Sequence, residues 1–311
     1  MDKLIKSTAA YRTFSNDVKS GKLSHAYMLY FDDAKNLRAA LKMFALEFFG
    51  TEADKADGRR ILSGSFTDCR IYPDEEGKKL TAETVSQLLE DSVLRPVERS
   101  KKLYIISNFE QTSALLQNKL LKTLEEPLDG VHFVLGVTSL APVLDTVKSR
   151  VKTLTIAPFT ESEIFSALQR KGDNPLNADA AKNCGGCLGA AENMAGGGWF
   201  GEIVSAAAEI CAADSIEKAS AAALKYGDTK YKTELLGQIR LNFRAALGEK
   251  VGGYAAASPA RIWQTHTLIY ALECAEKACG DLKFNAFFQG LLYDLMLRII
   301  EENDRWLKLR A

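Results

Sequence analysis

Two apolar runs, Leu103-Tyr104-Ile105-Ile106 and Val131-His132-Phe133-Val134-Leu135-Gly136-Val137-Thr138, enclose a segment whose leucines recur at helical spacing. No other feature limits the fold of this chain so sharply. The unbroken apolar character of the runs predicts strands buried on both faces. Between them, Leu116, Leu120, Leu121 and Leu124 line one side of a helix. Two such strands joined by a crossover helix make a parallel βαβ unit, because parallel strands need a long return connection. The segment closes on a turn, Ser149-Arg150.

The alternation continues outward from this unit. Residues 26–31, 66–72 and 151–156 read as three further strands. Residues 4–18 read as one helix. Leu37, Leu41, Phe44, Ala45 and Phe48 mark another that Gly50 ends. Residues 51–65 read as a polar loop with short helical pieces. Val85, Leu88, Leu89, Ser92 and Val93 form a helix that stops near Pro96. Five strands alternating with helices predict an α/β domain with a parallel sheet covered on both faces. From Thr160 only helical patterns remain. Thr160-Glu161-Ser162-Glu163 reads as a capping box, glycine clusters at 185–186 and 196–198 divide short helices, and the strongest helix is expected over 284–309. The expected division is an α/β domain over 1–159, a helical lid over 160–213 and a helical C-terminal domain over 214–311.

Charge narrows the function. Lys+Arg and Asp+Glu both number 40, so the formal net charge is zero, which argues against a free-standing polyanion binder. Met1 leads into Asp2-Lys3-Leu4-Ile5-Lys6 rather than an apolar signal core, and no apolar run approaches the ~20 residues a membrane span needs. Six cysteines are then expected as reduced thiols in the cytoplasm, with no membrane association. Cys184-Gly185-Gly186-Cys187 is a single CxxC without a second ligand pair, so no metal is expected. His25, His132 and His266 are scattered and suggest no nucleophilic constellation.

A phosphate-binding loop would place Gly-x4-Gly-Lys-Ser/Thr after the first strand. The slot instead holds Asp32-Asp33-Ala34-Lys35-Asn36-Leu37-Arg38, with no glycine and two carboxylates where anionic phosphates would lie. After the third strand, a Walker B motif would end in acids that handle Mg²⁺ and water. This chain reads Ser107-Asn108-Phe109-Glu110, with the acid displaced. Two nucleotide-handling elements are lost on an intact scaffold, so no cofactor is expected.

Gln117-Asn118-Lys119-Leu120-Leu121-Lys122-Thr123-Leu124-Glu125-Glu126-Pro127, followed by Ser149-Arg150, resembles the AAA+ subunits of bacterial DNA polymerase III clamp loaders. The missing nucleotide elements make the resemblance one to the delta prime branch. The resemblance covers about residues 23–158, weakens through the lid and is only architectural beyond. It implies an AAA+ RecA-like domain, a lid and a C-terminal collar. It also implies a non-hydrolysing stator that joins gamma/tau and delta to load the beta sliding clamp on primed DNA. The family's Ser-Arg-Cys motif sets an arginine at the neighbouring subunit's ATP, which implies that role for Arg150 beside Ser149, although Val151 replaces the cysteine. In the lid, Gly186-Cys187-Leu188-Gly189-Ala190-Ala191 resembles a family stretch whose ATP-sensing arginine is here Ala190. The four-cysteine zinc module of many delta prime proteins is reduced to Cys69. Lys119 and Lys122 are open to solvation, a subunit contact or a DNA-facing channel. Two other readings stand beside this one: a clamp-opening delta subunit, and a divergent active AAA+ ATPase.

Overall fold

A computed structural model describes residues 1–75, 78–252, 258–282, 284 and 286–310. They gather into two compact units, Met1–Ala167 with Gly186–Ala190, and Leu168–Gly185 with Ala191–Ala311. The first unit runs α1 (Asp2–Ser7), α2 (Ala9–Ser20), β1 (Ala26–Phe31), α3 (Leu37–Phe48), α4 (Ala56–Ser63), β2 (Cys69–Tyr72), α5 (Ala82–Ser92) and β3 (Lys102–Ile106). A 3-10 turn at Phe109–Gln111 follows, then α6 (Ala114–Glu125), β4 (Val131–Val137), α7 (Asp145–Lys148), β5 (Lys152–Ile156) and α8 (Glu161–Gln169). The five strands form one sheet of order β2-β3-β4-β1-β5, and every pairing is parallel.

Strand alternation distributes the core over both faces of this sheet. On one face Met28, Tyr104, Ile106, Phe133 and Leu135 meet Val85 and Leu88 of α5, Leu116, Leu120 and Leu124 of α6, and Val147 of α7. Tyr72, Tyr104 and Phe133 stack in a row across three neighbouring strands. On the other face Phe14 of α2 packs between Tyr27 of β1 and Phe44 of α3.

In the first unit, one expected helix is divided and one expected strand shortened. Residues 4–18 form two helices, because Thr8 is extended (φ −72°, ψ 151°) and its hydroxyl accepts from Tyr11 N–H at 3.1 Å, starting α2 afresh. The second strand begins at Cys69, because Asp68 is engaged elsewhere: its buried carboxylate accepts the backbone N–H groups of Val97, Glu98 and Arg99. The capping box forms as expected, with Thr160 N–H donating to Glu163 and Glu163 N–H donating to the Thr160 hydroxyl.

The second unit is helical: α9 (Asn177–Asn183), α10 (Leu188–Gly196) beyond its first three residues, which belong to the first unit, α11 (Gly198–Cys211), α12 (Ile216–Tyr226), α13 (Lys232–Gly252), a 3-10 turn at Pro259–Ile262, α14 (Thr265–Leu282) and α15 (Phe288–Arg310). Leu235, Leu236, Ile239 and Phe243 of α13 are fully buried, as are Leu268, Ala271 and Ala275 of α14. The helix expected over 284–309 starts at Phe288, leaving Phe284 and Phe287 exposed ahead of it. Asn285 and the side chain of Leu309, both inside the expected span, lie outside the described residues. Among the described residues no helix is long and apolar enough to cross a membrane.

Candidate functional site

The turn at the end of β1 is held by hydrogen bonds of its own side chains. Its two adjacent carboxylates part company: Asp32 is exposed, while Asp33 is only 1% exposed. One Asp33 oxygen accepts from Asn36 N–H at 3.1 Å. The other accepts from the Asn36 side-chain amide at 2.9 Å and from Gly189 N–H at 2.8 Å. The Asp33 backbone carbonyl also takes Leu37 N–H at 2.8 Å, which starts α3. Counting the phosphate-loop pattern from Phe31 sets Asn36 where the second glycine would be and Leu37 where the lysine would be. Leu37 is fully buried, so core packing holds the place of the phosphate-binding ammonium. Lys35 is exposed. Arg38 turns aside to donate to the carbonyls of Pro73 and Asp74, both at 2.8 Å.

Close approach at this slot needs glycine. A Cβ on Gly189 would stand 2.3 Å from an Asp33 oxygen and 2.8 Å from Lys35 Cβ. Gly186 lies at φ +84°, and a Cβ there would strike Pro158 at 2.5 Å. The turn that presents Gly189 N–H is thus pressed onto the segment leaving β5. Ala190 follows directly and brings no charge.

After β3 the chain kinks at Asn108, which has φ 54°. Ser107 donates to the Asn108 side chain at 2.9 Å. Glu110 accepts from the Thr138 hydroxyl, at the end of β4, at 2.7 Å. Its second oxygen is buried without a protein partner among the described residues. Nearby, Gln117 opens the α6 motif and is 1% exposed. Its amide donates to the carbonyls of Thr112 (2.9 Å) and Pro142 (3.1 Å) and accepts Leu144 N–H (3.0 Å). The motif glutamine therefore ties α6 to the segment that leads through α7 to Ser149-Arg150.

Arg150 lies at the opposite end of the sheet from the slot. β5 runs parallel to β1 with Lys152 beside Tyr27 and Ile156 beside Phe31. Arg150 precedes the first pair and Asp33 follows the last, so at least roughly 13 Å of strand separates them. Arg150 cannot serve its own chain's slot. Its guanidinium is paired with Glu125, donates to Thr146 O at 2.8 Å and to Ser149 Oγ at 3.2 Å, and stays one-third exposed. Glu125 was not legible as an Arg150 partner, though it belongs to the Leu-Glu-Glu-Pro end of the motif. Lys119 and Lys122 are exposed on α6. Cys184 and Cys69 are buried and Cys187 half-buried, and burial pushes the Cys69 thiol up to about 12. Among the described residues no three metal-ligating side chains converge.

A parallel five-stranded sheet of order β2-β3-β4-β1-β5 with helices packed against it defines a domain of the α/β class. Residues 6–160 match the protein family described as DNA polymerase III, delta subunit, and over that stretch the chain belongs to it. The chain is 31% identical over 175 residues to the DNA polymerase III subunit delta prime of Bacillus subtilis, covering 54% of this chain and 53% of that protein. It is 25% identical over 195 residues to a DNA polymerase III subunit gamma of Buchnera aphidicola, covering 58% and 52%. The chain thus spans about half the length of the curated relatives it matches. A solved Thermotoga maritima protein related to the DNA polymerase III gamma subunit aligns over 93% of this chain and 98% of its own, at 16% identity and a TM-score of 0.41.

Proposed function

We propose that this chain is a cytoplasmic, delta-prime-like stator of the DNA polymerase III clamp loader. It does not turn over ATP itself. It assembles with gamma/tau and delta subunits, and the ring loads the beta sliding clamp on primed DNA. Ser149 and Arg150 address the ATP of a neighbouring subunit, where guanidinium stabilises developing phosphoryl charge. The division at 159/160 and 213/214 into AAA+ domain, lid and collar is part of this proposal.

The observation that supports the reading is Asp33: a buried, hydrogen-bonded carboxylate in the slot sets a negative charge where a triphosphate would need donors and positive charge. Calorimetric titration of the purified chain with Mg-ATP tests it. No binding is expected, and a micromolar dissociation constant overturns the reading. A second reading, a clamp-opening delta subunit, is favoured by one observation: Val93, Leu94 and Val97 are exposed together after α5. Pull-down with isolated beta clamp separates the two, since strong capture supports delta and weak capture supports the stator.

A further inference from the structure

We propose that the Asp33 carboxylate is a built-in substitute for a bound phosphate, latching the N-termini of α3 and α10 together without any ligand. This goes beyond the absence of ATP turnover and rests on that reading only in taking the slot to be free of nucleotide.

Two helices point their amino ends at this one group. α3 begins at Leu37, and Asn36 N–H, immediately before it, donates to one oxygen. α10 begins at Leu188, and Gly189 N–H in its first turn donates to the other. Helix N-termini carry partial positive charge and unsatisfied N–H groups, which is why they gather phosphates. A carboxylate supplies the same features, a negative charge and acceptor lone pairs. The group is 1% exposed, and one of its three donors, Gly189 N–H, lies 156 residues from it in sequence. Gly189 lacks the Cβ that would collide with the carboxylate, so the contact depends on residues at both ends. The carboxylate is covalently part of the chain, and the start of α10 is held in one position permanently.

Amide hydrogen exchange of the full chain tests the latch, in phosphate-free buffer. Asp33→Asn keeps the shape but turns a donor toward Gly189 N–H. Asp33→Ala empties the site. In both, exchange at Gly189 should quicken at least about tenfold, while Ile105 and Leu135 in the sheet keep their wild-type rates. In Asp33→Ala, inorganic phosphate at about 20 mM should restore the protection of Gly189, and it should do nothing to wild type. The proposal is overturned if Gly189 is unaffected, if it quickens only in step with Ile105 and Leu135, or if phosphate fails to restore it. Nucleotide binding by wild type would instead overturn the stator reading, and the calorimetric titration reads that separately from Gly189 exchange.

Discussion

Gln117 offers a quantitative test of how the α6 motif supports the Arg150 turn. Its amide satisfies the carbonyls of Thr112 and Pro142 and the N–H of Leu144 from a position 1% exposed. In Gln117→Ala the exposed Pro142 carbonyl regains water, whereas the buried Thr112 and half-buried Leu144 groups lose a partner. At about 1–3 kcal/mol for a buried unsatisfied group, the expected loss is about 2–4 kcal/mol. Gln117→Glu is more informative. It keeps the acceptor for Leu144 but sets a second oxygen against two carbonyls, so ionisation there is opposed by burial and by those dipoles. The new carboxyl's folded pKa then lies above its unfolded value of about 4.3. The destabilisation is therefore complete above the folded pKa, shrinks as pH falls through it, and is gone below about pH 4. All three tryptophans, Trp199, Trp263 and Trp306, lie in the second unit, so their fluorescence does not report on this site. Native-state exchange at Val134 and Leu135 of β4 does. Protection there should fall roughly 30- to 1000-fold for Gln117→Ala at neutral pH. Less than about a fivefold loss, or a Gln117→Glu deficit that does not narrow on acidification, would refute the assignment of Gln117 as a buried tie.

Arg150→Ala should leave stability within about 1 kcal/mol, since its ion pair with Glu125 is substantially solvated. In reconstituted complex it should cut DNA- and clamp-stimulated ATP turnover, by less than the ~10³–10⁵ of an isolated finger because other sites persist, with Arg150→Lys also impaired; unchanged turnover would remove the trans role. Phe287→Asp alters a side chain 74% exposed, so unfolding of the isolated chain should shift by no more than about 0.5 kcal/mol. Its affinity for the neighbouring subunits should nevertheless drop, and full affinity would show that this surface is not an assembly face. Burial raises the Glu47 carboxyl, but hydrogen bonds from Ser15 and Tyr11 and the charge of Lys19 outweigh it and hold the group below its usual value. Its stabilising contribution is thus present above the unfolded pKa and lost as pH falls through the folded one. The advantage of wild type over Glu47→Gln in urea midpoint should shrink from about pH 6 to about pH 3, and a constant difference would exclude the linkage.

The scaffold was legible where a single physical demand governs a stretch. β1 needs burial on both faces, and Ala26–Phe31 is apolar throughout, so its limits follow from the residues alone. Where two demands compete, sequence pattern misleads. Thr8 interrupts a helical pattern of apolar residues that continues on both sides, because its hydroxyl is better used as a cap. Phe66, Thr67 and Asp68 look like the start of a strand, yet Asp68 serves as the acceptor for three N–H groups near residue 98.

The site shows the same division more sharply. The missing glycines and lysine were plain, because a phosphate loop demands particular residues at particular spacing. What replaced them was not, since Asp32 and Asp33 are identical as text. Only the fold sends one to water and the other inward to Gly189 N–H, a partner no local pattern could pair with it. Glu125 and Arg150, 25 residues apart, are hidden for the same reason. In the sequence a carboxylate at a phosphate slot reads as repulsion, a sign of lost function. Placed beneath two helix N-termini it becomes attraction, because those N–H groups demand an anion whether or not a nucleotide ever arrives. On the latch proposed above, Asp33 supplies the negative charge from within the chain, and buried Leu37 can stand at the position of a phosphate loop's lysine without leaving that charge unpartnered.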